Sequence, residues 1–486
     1  MDIGVRYGFS RLKLMKNSTC GMGDNSTHGK LEGVLSQRQL FAIGFGAIVG
    51  WGWIIQMGYW VDTAGPWGGI AAFLVGGFLV ALISLIYAEL VSAMPKVGGE
   101  HVYSMRAFGP LGSFACSWSL LLGYLGVIAF QSIAFGVAIS YLIPGFDTLQ
   151  LWSFAGSPVY APLVGIGLLG VLGITYMNYR GVRLTAQIQM ALAAIIFVAG
   201  FLMVVGAFTK GQPVANEPFG GVGLAGITIV AVQVPMLFVG FDVVPQAAEE
   251  ANISPHSLAI TLLAVVSCVA LFYVITIWAA GEALLAEVLG ASPVPAAAAM
   301  SALMGSEMAG QLMTVAGIGA LLTSWSAFVI GASRVLFAMA ETGMLPESLA
   351  KLHPDYNTPS NAILLTGAIS AAAPWFGAQL INTVINAGSL GIVIAWFIVV
   401  LSFLRLRRQE PEMERPFKIP YGKTFGVVSL VVTAFFILLY APGGPSALGL
   451  KEWTIIGAWV LLGTVLRSLS GENIEMAAVQ QSKSDD

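Results

Sequence analysis

The chain has 486 residues and a formal net charge of −3; 57% of its residues are hydrophobic and only 10% charged. A soluble domain carries about a quarter charged residues, so a water-soluble globule of this length is excluded and the main solvent must be hydrocarbon. The apolar runs are continuous rather than short and alternating, which disfavours a β-barrel.

In chain order, residues 1–37 are polar and basic, without the short apolar core and cleavage site of a signal peptide, and read as a cytoplasmic tail. About 20 apolar residues of helix cross a bilayer. Runs of that kind fall near 39–60, 67–94, 110–142, 159–178, 185–209, 222–248, 258–285, 308–338, 360–375, 380–404, 424–441 and 453–468. The expected fold is therefore all-α integral membrane with 12 transmembrane helices: a core of ten over 38–404, a cytoplasmic loop at 405–423, two more helices in 424–469, and a polar, disordered cytoplasmic tail at 470–486. The stretch at 286–307 on the outer side, rich in small residues and proline, suits a short surface helix. With both termini in the cytoplasm, 20 of the 22 Lys and Arg lie inside, only Lys210 and Lys451 being outside.

Two spans are interrupted. The first carries Gly44, Gly46, Gly50 and Gly52, and the sixth carries Pro235 and Gly240 with Pro245 close behind. Small residues also serve close helix packing, as expected at Gly76–Gly77 and Gly165–Gly170. Four glycines so close together exceed what packing needs, and backbone freed by a break is tolerated only against protein or a water-filled cavity. Interrupted helices at matching places in two halves point to a transporter site, here in two inverted groups of five helices plus two at the C-terminal end.

Asp242 is the one acidic residue near the middle of a span. An unpaired carboxylate there costs about 2.5–3.5 kcal/mol, so it reads as a substrate counter-ion, a proton carrier or a cap on the second half of the sixth helix. Glu89, Glu249, Glu250 and Glu341 lie near cytoplasmic helix ends, where Arg106, Arg180 and Arg334 are the expected partners. His101 reads as a surface residue in a cytoplasmic turn, with a catalytic or sensing role as the alternative. Trp51, Trp53, Phe238 and Phe241 flank the two breaks and either sandwich a ligand or pack; Phe130, Gln131, Trp325 and Phe328 are candidates for the same cavity. Cys20, Cys116 and Cys268 have no metal-type spacing. His28, His101, His256 and His353 fall in tails or loops, so neither a catalytic nor a metal-binding constellation is expected. There is no GxxxxGK[ST] loop for ATP and no repeated carbonyl filter for a channel.

Six blocks resemble the amino acid–polyamine–organocation superfamily of permeases: GAIVGWGWI, YAELVSAMPKVGGEHVYSMRAFGP, NYRGVRLTAQIQ, FVGFDVVPQAAEEANISP, SRVLFAMAETGMLP and RRQEPEMERPFKIP, in the family's order between about residues 40 and 420. The resemblance implies a five-plus-five inverted-repeat fold and alternating-access transport of an amino acid or small amine through a cell membrane, with no nucleic acid as partner. It also implies that the substrate carboxylate meets amides of Ala47, Ile48, Gly50, Trp51 and Gly52, and the ammonium meets carbonyls between Met236 and Gly240. Trp51 stands where the family often has a small residue, which points to a small pocket or substrate. The family's coupling lysine in the fifth span falls on Ile196, so three readings stay open: a proton through Asp242, which is favoured; sodium held by Thr323, Ser324 or Ser326; or exchange without an ion.

Overall fold

The computed structural model describes residues 31–154, 156–210, 219, 223–377 and 379–484. Lys30, His28 and Cys20 lie outside them, with most of the expected N-terminal tail. The fold is mostly helical. In order come α1 (Gln37–Ile48), α2 (Gly52–Ala93), α3 (Glu100–Leu142), a hairpin of β1 (Gln150–Phe154) and β2 (Ser157–Tyr160), α4 (Ala161–Tyr179), α5 (Val182–Lys210), α6 (Leu224–Leu237), α7 (Val243–Gln246), α8 (Pro255–Gly281), α9 (Ala286–Ala291), α10 (Pro295–Met304), α11 (Glu307–Glu341), α12 (Ser360–Ala372), α13 (Gln379–Gln409), α14 (Gly422–Leu439) and α15 (Leu450–Ser484).

Among the described residues, 8 helices are long and apolar enough to cross a membrane: α2, α3, α4, α5, α8, α11, α13 and α14. The difference from the sequence reading is instructive. The expected first span is cut at Val49–Trp51, and its second part runs on into the second span as one 42-residue helix, α2. Gly65, at φ 72°, and Pro66 kink α2, and Gly109 and Pro110 do the same in α3; proline removes a backbone donor without ending the helix. The sixth span is likewise two pieces, α6 and α7. Two features depart from expectation outright. Residues 150–154 and 157–160 pair as an antiparallel hairpin, and α15 continues to Ser484 through the polar tail.

The helices bury a continuous core and leave a coat of leucine, phenylalanine and valine outside, including Leu172, Phe201, Leu271 and Leu438. Such a coat is a large exposed apolar patch in water and a matched surface in lipid. Inside, α3 lies against α13 through a seam of glycines: a Cβ on Gly388 would come 3.1 Å from the Cα of Gly123. Small residues let membrane helices approach this closely. Gly76 packs on Val234 in the same way, and Gly170 packs on Trp325 and Phe135, but Gly165 faces open space and does no packing.

One end of the bundle is fastened by ion pairs. Arg334 on α11 holds Glu250 beyond α7 at 2.8 Å, both side chains almost fully buried. Glu89, at the end of α2, takes Arg407, Arg415 (3.1 Å) and the Ile419 amide (2.8 Å) rather than any of the expected Arg106, Arg180 and Arg334. The reason is that the loop after α13 folds back beneath α2, while Arg106 pairs with Glu410 and Glu249 accepts from the Val97 amide at 3.1 Å. His101 is buried, not on the surface: it falls in the first turn of α3, where Ser113, Ser117 and Thr342 surround its ring. At the same end, Leu35 exchanges hydrogen bonds with Glu250 and Asn252, tying the chain before α1 to the chain after α7.

Candidate functional site

The two interruptions meet. After α1 stops at Ile48, the Val49 amide still donates to Phe45 (2.9 Å), but Gly50 turns back to the Ile48 carbonyl (3.0 Å) and α2 starts at Gly52 with no side-chain cap. Of its first-turn amides, Ile54 donates to the Trp51 carbonyl (3.1 Å), while those of Gly52 and Trp53 have no partner among the described residues and carry partial positive charge. On the facing element, α6 ends at Leu237, and two tight turns follow before α7.

Gly240 sits between them at φ 122°, a region reserved in practice for glycine. A Cβ there would lie 2.8 Å from the Ala47 carbonyl carbon, so the backbones of the two breaks are in contact. Gly50 has a similar role toward α11, where a Cβ would press on Ser324 at 3.1 Å.

Three side chains hold the junction. Tyr273 on α8 points its hydroxyl at both the Ile48 carbonyl (3.3 Å) and the Leu237 carbonyl (3.2 Å), one from each broken element. Ser324 donates to the Ala47 carbonyl at 3.0 Å and accepts from Gln131 Nε2 at 2.9 Å. Gln131 is 2% exposed, and its Oε1 has no partner. A buried acceptor left open beside a cavity is a place for a donor from a ligand.

The cavity at this junction encloses about 100 Å³. Of the residues expected there, the structure brings together Ala47, Ile48, Gly50, Trp51, Gly52, Phe130, Gln131, Met236, Ser324 and Phe328. The Trp51 ring fits because α11 presents Gly317 to it, and the cavity is accordingly small.

Several expected members are elsewhere. Asp242 is fully buried but does not line the cavity: it accepts from the Gly240 amide (3.0 Å) and from Trp396 Nε1 (3.2 Å), folding the break rather than capping α7. Gly240 touches Ala47, and Phe241 is turned onto Tyr87 and Trp396. Phe238 stands behind Tyr273, their ring centroids 5.7 Å apart. Thr323 lies about 100° from Ser324 around the helix and Ser326 about 200°, and neither lines the cavity with it. Thr323 instead donates to the Gly46 carbonyl (3.3 Å), and Ser326 accepts from Asn178 (3.1 Å). Trp325 is buried away from the cavity, and Ile196 is fully buried on α5.

The sequence reading missed Gln56, Val127, Tyr273 and Ile385, while Leu237 and Val239 fall within the expected Met236 to Gly240 stretch. Gln56 had a signal, as a polar residue one turn beyond the first break. Tyr273, alone in an apolar helix, had none. A second cavity of about 360 Å³ adjoins the first, sharing Gln56, Met236, Leu237 and Ile385 with it.

A family model described as "Amino acid permease" matches residues 35–465, which includes both breaks and all the helices that line the cavity. The chain belongs to the amino acid permease family. The permease is 26% identical over 437 residues to the methylthioribose transporter of Bacillus subtilis (strain 168), covering 88% of this chain and 92% of that one. It is also 26% identical over 448 residues to the branched-chain amino acid permease of the same organism, covering 89% and 91%. A third relative, cationic amino acid transporter 2 (vacuolar) of Arabidopsis thaliana, is 27% identical over 435 residues, 85% of this chain and 66% of that one. The permease is thus a multi-pass membrane transporter of the amino acid–polyamine–organocation superfamily and not an enzyme.

Proposed function

We propose that the permease moves an amino acid or small organic amine across the plasma membrane by alternating access, coupled to a proton. One observation carries the reading: the two helix breaks meet at a cavity with uncapped amides on one side and carbonyl ends on the other. Amides at a helix start suit a carboxylate, while carbonyls and the open Gln131 Oε1 suit an ammonium.

In this reading α1 with the first part of α2 is span one, and α6 with α7 is span six. Twelve spans then form two inverted groups of five and a closing pair, with both termini in the cytoplasm, as the distribution of Lys and Arg supports. Asp242 is the proton carrier: it is buried beside the second break, makes no ion pair among the described residues, and reports its state to the backbone through Gly240. Sodium at the Thr323 and Ser324 hydroxyls is the rival coupling. It is less favoured because both hydroxyls already donate to α1 carbonyls. An exchanger that uses no ion is the remaining alternative.

Purified permease in proteoliposomes is given a tritiated mixture of amino acids, and uptake is compared under an inward proton gradient, an inward sodium gradient and neither. The proton gradient is expected to drive accumulation, and Asp242→Asn to abolish that accumulation while leaving exchange. Gradient-driven uptake of wild-type size by Asp242→Asn would reduce Asp242 to a brace of the break. If no amino acid, alkylamine or polyamine moved under any condition, the proposed function would be wrong.

A further inference from the structure

The adjoining 360 Å³ chamber extends the central cavity along α2, α6 and α13 toward the end of α14. The central cavity has room for little beyond the head common to all amino acids, whereas the chamber is several times larger. Its lining is polar and it is open rather than sealed, with Asn382 and Asn386 exposed and Gln56 and Gln233 half-buried. Gln56, Gln233, Asn382 and Asn386 face it from three helices, and none of these four amides makes a hydrogen bond with the described residues. On α13, Asn382 and Asn386 are one turn apart on the face that also carries Ile385 and Ser389; on α6, Gln233 lies on the face that carries Met236 and Leu237. Ser389 itself is occupied, donating to Ile385 and Met236. Among the described residues, no Asp, Glu, Lys, Arg or His lines either cavity.

We propose that this chamber is the side-chain subsite of the transported solute, and that it takes an uncharged side chain ending in hydrogen-bonding groups, an amide or a hydroxyl. The inference rests on the permease reading above and adds the substrate class. The lining excludes the alternatives from both directions. A cationic or anionic side chain would meet no opposite charge in either cavity and would give up part of its hydration for amide dipoles alone. A purely aliphatic side chain would strip water from four amides and return no hydrogen bond, and an unmade bond costs more than a made one gains. An amide or hydroxyl both donates and accepts, as do the amides that await it. Discrimination of this kind is strong, because a site built to hydrogen-bond a group rejects analogues that lack it.

The test is thermal stabilisation of the full-length permease in detergent by L-glutamine, L-threonine, L-leucine, L-lysine and L-glutamate, each titrated separately. The better of L-glutamine and L-threonine is expected to act at about tenfold lower concentration than the other three. The double substitution Gln233→Leu with Asn386→Leu is expected to weaken that ligand about tenfold and L-leucine not at all. Asn386→Asp keeps the shape of the side chain, should fold whatever the double variant does, and is expected to raise L-lysine in the order. Wild-type permease that binds L-leucine, L-lysine or L-glutamate as well as the neutral polar pair overturns the proposal and leaves the permease reading standing. Unchanged ligand order in Asn386→Asp also overturns it, and makes the chamber a solvent-filled antechamber. Stabilisation by none of the five, joined to absence of amino acid transport, overturns the permease reading itself and this proposal with it.

Discussion

Tyr273 has one hydroxyl proton for two carbonyls, and those carbonyls belong to the two elements whose relative position defines the cavity. Its ring is already fixed by Phe73 and Phe238, at centroid distances of 5.0 and 5.7 Å, so the hydroxyl can be removed without disturbing the packing. Tyr273→Phe should therefore cost stability by about 0.5–1.5 kcal/mol. It should weaken substrate binding by roughly tenfold, since the breaks must be held by the substrate instead. Thermal unfolding with and without ligand separates the two effects; equal losses in both states would mean that Tyr273 is only a structural bond. This residue was invisible in the sequence because a tyrosine in an apolar helix reads as packing. Gln131 and Ser324 were legible, being polar residues in apolar spans whose alternative is an unsatisfied group in lipid. Asp242 drew attention for the same reason, yet the structure gives its oxygens to Gly240 and Trp396 and keeps it off the cavity wall.

The helix breaks were the most legible elements, since Gly44 through Gly52 and Pro235 through Gly240 interrupt otherwise uniform hydrophobic runs. Their contact was not legible, because nothing in a linear pattern says that Gly240 lies against Ala47. Neither was the continuity of α2, where a Gly–Pro pair that reads as a boundary proves to be a kink. The hairpin at 150–160 went unseen because the apolar pattern on either side overwhelms a short loop. Gly240→Ala is the substitution that tests the contact. It places a methyl 2.8 Å from the Ala47 carbonyl carbon and puts a side chain at φ 122°, a strain of order 1–3 kcal/mol. Transport should fall by at least about tenfold and the melting temperature should drop. Gly165→Ala, which meets nothing within 4 Å, is the control and should leave both near wild type. If Gly240→Ala transported normally, close approach of the breaks would not be needed for function.

At the scale of the molecule, the ion pairs gather at one end and the open chamber is at the other side of the breaks. Arg334 with Glu250, and Arg407 and Arg415 with Glu89, join α11, the last turn of α13 and the loop after it to the chain beyond α7 and the end of α2. The bridge between Leu35 and Ala251 closes the same end around the chain before α1. That asymmetry matches one state of a carrier, closed on the side of the ion pairs. Buried pairs of this kind are weak as net stabilisers but costly to break singly, so they suit a gate that opens as a unit. The sequence carried the charge distribution from which sidedness is read, but not which acid meets which base: Glu89 takes its partners from more than 300 residues away along the chain.

The central claim is that a solute binds between the two breaks and is carried, not conducted. Counterflow tests it most directly. Proteoliposomes containing the permease are loaded with the twenty unlabelled amino acids and diluted into a trace of the same mixture in tritiated form, with no ion gradient. A carrier must return with labelled solute, so internal label should rise transiently above its equilibrium level, saturate with external concentration, and vanish in Gly240→Ala. Label that only relaxes to equilibrium, in proportion to concentration and equally in the variant, would contradict the account.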